Sequence, residues 1–327
     1  MTKWIILVQR TLVILLLGLT ACSHHKTPNF QGPSHSISNN TKGLTKETER
    51  IVFIGDSITY SGEFVAYIEA YLRVAYPERD YQFINIGLPS ETVSGLSEVG
   101  HAGGAFPRPD AKERLQRSLD ELKPDLVFSC YGINDGIYLP FAQSRFAAYQ
   151  NGQQNLHNTV LATGASLIHL TPPDYDKKHE QQYSQVMDTY SNWLISQTNQ
   201  QGWQVIDLHF PMQQQLTRER KVNPNFYYAK DGIHPNSAGH WQMAKAVLAG
   251  LGEPMARTFS ETIDRLEPKV DAETLYKLVK QQQSILKDTY LTEIGHTRPR
   301  MKVGLPLKQA HEKVKQIERE IQAVLQP

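Results

Sequence analysis

The chain of 327 residues holds only two cysteines, Cys22 and Cys130. One pair can close at most one disulfide, which excludes a small scaffold stapled by several bridges. Charge of neither sign dominates: 34 basic and 33 acidic residues leave a net +1. A nucleic-acid or polyanionic partner would call for a broad basic field, and none is present. No comfortable membrane span exists either, because the one strongly apolar run, "TLVILLLGLT", is about half the length that a spanning helix needs. The histidines lack metal-ligand spacing such as His-x-x-x-His with a nearby acid, so neither a metal nor an organic cofactor is implied. Internal repeats and low-complexity tracts are also missing. What remains is 40% hydrophobic and 20% charged, a normal balance for a packed globular core in one large domain or two small ones.

Residues 1–21 read as a secretory signal, with Lys3 and Arg10 flanking the apolar run. Its end, Leu19-Thr20-Ala21-Cys22, resembles the lipobox of bacterial lipoproteins. That resemblance implies that Cys22 becomes a lipid anchor, that the membrane is a partner through this lipid, and that the protein resides in the bacterial cell envelope. The same resemblance implies that Ser23, after that cysteine, permits onward transport to the outer membrane. Residues 22–49 are polar, contain Pro and Gly and show no apolar period, which fits a tether; His24 and His25 belong to it. With Cys22 lipidated, Cys130 stands alone at the end of "LVFSC" and is expected to be a small buried hydrophobe.

Residues 50–254 alternate strand and helix. Apolar, β-rich runs occur at Ile51–Ile54, Tyr81–Ile86, Leu126–Cys130, Ser166–Leu170 and Gln204–Leu208, with helical spacing between them. Strands apolar on both faces and separated by helices imply a parallel sheet covered on either side. Gly55-Asp56-Ser57, Gly132-Ile133-Asn134-Asp135 and Thr171-Pro172-Pro173 each follow a strand and therefore share the rim where such sheets bind ligands. Residues 255–327 turn helical. Leu307, Ala310, Val314, Ile317, Ile321 and Val324 are spaced 3-4-3-4-3, a narrow apolar seam. The seam fits a helical hairpin folded onto its own domain, or a dimerisation coil.

A serine at a strand–helix lip needs three things to become a nucleophile: a base, a group to orient that base, and donors for the oxyanion. "KDGIHPNSAGH" offers Asp231 and His234, three residues apart on a loop entering a helix, where the carboxylate can set the imidazole tautomer. His240, farther along, is expected on that helix's surface. "YGINDG" offers the side-chain amide of Asn134, and "NIGLPSETVSG" offers backbone N–H groups at Gly87 and Ser90. Ser57 itself is expected at a helix start, with its own N–H unpaired.

In this order the blocks resemble the SGNH (GDSL-type) hydrolase family over residues 51–251. The resemblance implies a flavodoxin-like three-layer α/β/α sandwich with five parallel strands, to which the C-terminal helical extension is added. It carries the nucleophile to Ser57, the pair to Asp231 and His234, and an oxyanion donor to Asn134. The family's second block normally ends in glycine; here Ser90 stands in its place, so the backbone donor is assigned to Ser90 with Gly87 as the fallback. The implied reaction is hydrolysis of a small-molecule or glycan ester through an acyl-enzyme.

Two further stretches are candidates for substrate contact: "GHAGGAFPRPDAKERL", with His101 and Arg108, and "YLTEIGHTRPRMKVGLP", with Arg298. The rim segments are polar or small. Tyr131, Tyr138, Tyr175 and Phe106 lie beside them as possible faces for sugar rings. Short acyl groups on carbohydrate are therefore expected rather than long-chain lipids. A lipase, or an anchored binding protein without catalysis, is the alternative.

Overall fold

The computed structural model describes residues 44–45, 47–177 and 180–326. The expected signal and Cys22 lie outside them, as does most of the tether. No helix of the described residues is long and apolar enough to cross a membrane.

Five strands form one parallel sheet: β1 (Arg50–Gly55), β2 (Gln82–Asn85), β3 (Leu126–Cys130), β4 (Ser166–Leu170) and β5 (Gln204–Ile206). Their order is β2-β1-β3-β4-β5, the flavodoxin-like arrangement. β1 pairs with β2 through Phe53↔Asn85 and with β3 through Phe53↔Phe128. The aromatic rings of Phe53, Phe83 and Phe128 stack across the three strands. β1 and β3 are buried almost throughout, so each reads as an unbroken apolar run rather than an alternating one. Cys130 ends β3 as a free, buried thiol.

Strand order reverses beside β1, and ligands of such sheets sit in the crevice at that point. A short helix α1 (Ser57–Ser61) leaves β1 there, and Asn134 follows β3. The crossovers are α2 (Glu63–Ala75), α3 (Ala111–Leu122), α4 (Gln143–Ala162) and α5 (Gln181–Gln201), followed by α6 (His209–Val222) and α7 (Ser237–Gly250). Gly132, at φ +137°, lets the chain leave β3 against the ring of Pro172, where a Cβ would sit 2.9 Å from that ring. This brings the loops after β3 and β4 together on the rim.

Beyond the sheet come α8 (Phe259–Leu266), α9 (Ala272–Ile294) and α10 (Leu307–Leu325). Thr258 and Glu261 close a capping box on α8, and Asp271 caps α9 through the N–H groups of Glu273 and Thr274. α9 packs against α2 and β2, and α10 against α9. Lys302 pairs with Asp288, and the Gly304 N–H donates to Thr292 Oγ1, so the connection between the two helices lies back along α9. The seam residues Ala310, Ile317 and Ile321 are buried in this packing.

Candidate active site

α1 begins because Asp56 caps it: Oδ1 accepts the Ile58 N–H at 2.9 Å. Asp56 is almost fully buried, and burial pushes its carboxyl up to about 7, with Asp135 and Glu91 adding to the rise. Ser57 is the next residue, at the first turn.

Asp231 and His234 arrive on the loop before α7. Asp231 Oδ1 accepts the backbone N–H of Ile233 and of His234, each at 2.9 Å. Oδ2 is then left to meet His234 Nδ1 at 2.7 Å. Partial burial raises the Asp231 carboxyl, but the hydrogen bonds from the His234 ring and the two amides outweigh it and hold the group below its usual range. A carboxylate can only accept, so Nδ1 carries the proton and Nε2 is free to accept. His234 Nε2 lies 2.9 Å from Ser57 Oγ. The three side chains therefore form one relay, half-open to solvent at Asp231 and His234.

Asn134 is buried in the turn after β3. Its Oδ1 accepts the Tyr138 hydroxyl at 2.7 Å, which fixes the amide orientation, and Nδ2 donates to the Glu91 carbonyl at 3.1 Å. The second Nδ2 hydrogen is left over. That bond also ties Asn134 to the turn carrying Ser90. Among the described residues no acceptor takes the Ser90 N–H. Ser90 has φ +69°, the left-handed region where glycine is at ease and a side chain is not. The resemblance places a glycine at this position, and the backbone explains why.

The fallback donor does not survive. The Gly87 N–H donates to Asn85 Oδ1 at 2.9 Å and is already used. Gly87 serves close packing instead: a Cβ there would sit 2.3 Å from the Tyr60 nitrogen.

The proposed substrate residues fare differently. Arg108 is buried, and its fork is spent on Glu98, at 2.6 and 2.7 Å, and on the Ser90 carbonyl at 3.4 Å. The guanidinium also lies over the Tyr138 ring. Arg108 thus braces the Ser90 turn and has little left for a substrate. Burial opposes it, but the Arg108 bonds pull Glu98 down to about 2. His101 is bound to the same Glu98 at 3.0 Å. The two candidate stretches meet at Phe106, which takes the edge of the His101 ring and the Arg298 guanidinium at 5.2 Å. Tyr131 and Tyr175 are buried and offer no face to a sugar. His240 is not on the surface: it is buried, bonds Ser61 Oγ at 2.9 Å and is pulled down to about 4 by that burial.

Sequence reasoning missed Asp56 as a near-neutral cap, Tyr138 as the clamp of Asn134, and Arg108 as a brace. Only Asp56 had a local signal, since it immediately precedes a helix.

Comparison with known proteins agrees with this fold. The model of the GDSL-like lipase/acylhydrolase family matches residues 53–242. An acetylxylan esterase of Geobacillus stearothermophilus is 26% identical over 231 residues, covering 64% of this chain and 97% of that enzyme. Its crystal structure superposes with a TM-score of 0.50 at 24% identity, covering 63% of this chain and 95% of the other. Solved catalytic mutants of that esterase replace a serine, an aspartate and a histidine, the last two three positions apart. An α/β hydrolase from the metagenome of Lake Arreo, Spain, gives a TM-score of 0.50 at 27% identity, covering 62% of this chain and 95% of its own. A family match over more than half of the chain, on a five-stranded sheet of this order, places the chain in the GDSL-like lipase/acylhydrolase family as a carboxylic ester hydrolase.

Proposed function

We propose that the protein is a serine esterase that removes short acyl groups, acetyl above all, from carbohydrate through an acyl-enzyme. The observation that carries this reading is the Ser57–His234–Asp231 relay, with contacts of 2.9 and 2.7 Å. In the proposed reaction His234 Nε2 takes the Ser57 proton as Oγ adds to the ester carbonyl. The oxyanion sits among the N–H groups of Ser57 and Ser90 and the spare hydrogen of Asn134 Nδ2. Collapse expels the alcohol, which takes its proton from His234. Water, admitted at the open side of the imidazole, then attacks the acyl-enzyme with His234 again as base; collapse expels Ser57 Oγ, which takes that proton back, and the acid is released. Burial keeps Asp56 neutral up to about pH 7, so the group preceding Ser57 does not oppose the developing negative charge.

The carbohydrate part of the proposal rests on the acetylxylan esterase relative and on the small or polar rim segments. An acyl-length series of p-nitrophenyl esters, followed by acetylated xylo-oligosaccharides, tests it. Activity is expected to be highest for acetyl, with acetate released from the oligosaccharide. Activity rising toward long chains, with no glycan deacetylated, would favour a lipase instead. We further propose that lipid on Cys22 holds the enzyme at the cell envelope, with residues 22–49 as the tether. The support is the apolar run ending in Leu19-Thr20-Ala21-Cys22. Cys22→Ser should move the protein from the membrane fraction to the soluble one with unchanged specific activity.

A further inference from the structure

α1 has five residues, too few to hold a helix by its own hydrogen bonds. Side chains secure its carbonyls, one from within α1 and two from outside it. The Ile58 carbonyl accepts Ser61 Oγ at 3.1 Å, and the Thr59 carbonyl accepts Asn85 Nδ2 at 2.6 Å. The Tyr60 carbonyl accepts Lys287 Nζ at 2.5 Å. The first two donors belong to the sheet domain. Lys287 lies on α9, 227 positions from Tyr60 and beyond residue 242, where the family match ends. Its side chain is buried, and its ammonium also sits 3.8 Å from the centroid of the Tyr60 ring. A cation is favoured at the carbonyl end of a helix, and here it stands opposite the end that carries Ser57.

We propose that Lys287 is a positioning residue for the Ser57 turn, which makes the C-terminal extension part of the catalytic scaffold and not only a cover for α2 and β2. The proposal rests on Ser57 being the nucleophile. Without the ammonium, the part-buried Tyr60 carbonyl loses this partner and the short helix is free to unwind from that end. Ser57 Oγ would then drift relative to His234, and a shift of about 1 Å can cost on the order of 10²-fold in rate.

The charged and titratable groups around Lys287 are Asp288 and Lys280 of its own helix, Lys302 of the connection after α9, and Tyr60 of α1. Asp288 is shared with Lys302 at 2.6 Å and with the Tyr60 hydroxyl at 3.4 Å, and Lys280 is paired with Glu63 of α2. Burial draws Lys287 down to about 8 against the pull of Asp288. The ammonium is therefore present below that pH and is lost as pH rises through it.

The test uses the full chain with Lys287→Met and Lys287→Arg. Turnover of p-nitrophenyl acetate is normalised to sites labelled by a fluorophosphonate, so unfolded protein is not counted. The Met variant is expected to lose about tenfold or more in kcat per labelled site with KM within about twofold, and Arg to restore most of it. Wild-type kcat should fall as pH rises through about 8, while the Arg variant holds its rate to higher pH and the Met variant lacks that limb. Wild-type kcat per site and an unchanged alkaline limb in the Met variant would overturn the proposal, even if fewer sites label or the Tm drops. Should the Met variant not fold, Lys287→Gln decides by the same two readouts. Lys277→Met, on the exposed face of α9 and paired with Glu273, should behave as wild type. An equal loss there would show a general disturbance of α9 and overturn the role of Lys287. A wild-type chain that takes no label at Ser57 would overturn the nucleophile reading itself, and this proposal with it.

Discussion

At Ser90 a side chain occupies a backbone conformation made for glycine. Left-handed φ costs a non-glycine residue about 1 kcal/mol or more, while glycine loses a similar amount through the flexibility of its unfolded chain. Ser90→Gly is therefore expected to be near neutral in stability, within about 1 kcal/mol, and to keep kcat, since the proposed donor is a backbone N–H. Ser90→Val, with a β-branched chain in that region, should destabilise and lose turnover; a thermal melt and an aryl-ester assay check both. Equal behaviour of the two variants would mean that the turn relaxes and the φ is unimportant. A second expectation concerns Asp231. Its Oδ1 is pinned by the Ile233 and His234 amides, so in Asp231→Asn the amide nitrogen must face His234 Nδ1. That favours the tautomer with a proton on Nε2, which cannot accept from Ser57. Asp231→Asn should then lose about 10³-fold or more in kcat and should be worse than Asp231→Ala, where water leaves the tautomer free. An Asn variant more active than the Ala variant would contradict this tautomer argument. The Asp231–His234 pair was legible in the sequence because Asp-x-x-His is local, whereas Ser57, 177 positions from His234, was joined to it by the family resemblance. The job of Arg108 was not, because nothing in its neighbourhood announces Glu98, ten positions earlier, as its partner.

Among the elements, the β1–α1 junction has its own pH dependence. Asp56 titrates near 7 in the fold and near 3.8 otherwise, chiefly through burial. Below the lower value both states are protonated. As pH rises toward 7, the unfolded chain releases the proton and the folded chain retains it, so this group's contribution to stability falls across that window and levels off above it. Asp135, pushed up to about 6 by burial, acts in the same direction. Asp56→Asn keeps an oxygen for the Ile58 N–H and removes the titration. The variant is expected to melt above wild type at pH 5 and by a larger margin at pH 8. A Tm difference that does not grow between the two would show that Asp56 is ionised throughout. The strands of this junction were readable from sequence because a strand buried on both faces has no polar position to break the run. The proton held by Asp56 was not readable, since it depends on Asp135 and Glu91 closing around it from other loops.

On the scale of the whole molecule, contacts of long sequence separation tie the extension to the sheet domain. Lys287 on Tyr60, Arg73 on Glu318 and Arg117 on the Ile294 carbonyl join the extension to the sheet domain. Periodicity could announce α9 and α10 but not what they would touch, and it left the apolar seam of α10 open between a hairpin and a dimer. In the structure Ala310, Ile317 and Ile321 are buried within one chain, and Glu318 beside them reaches α2 at 2.9 Å through Arg73. A seam used internally is not offered to a second copy, so the protein is expected to run as a monomer in size-exclusion chromatography with light scattering, at low and high concentration alike. Ile321→Asp places a carboxylate at the fully buried Ile321 position of the seam, a cost of several kcal/mol that α10 can avoid only by lifting from α9. The variant should melt well below wild type and remain monomeric. It should keep most of its kcat per labelled site at temperatures where α9 stays folded, since Lys287 belongs to α9 and not to α10. A wild-type dimer that the Asp variant converts to monomer would instead return the seam to the coil reading, with the intramolecular packing as its unpaired form.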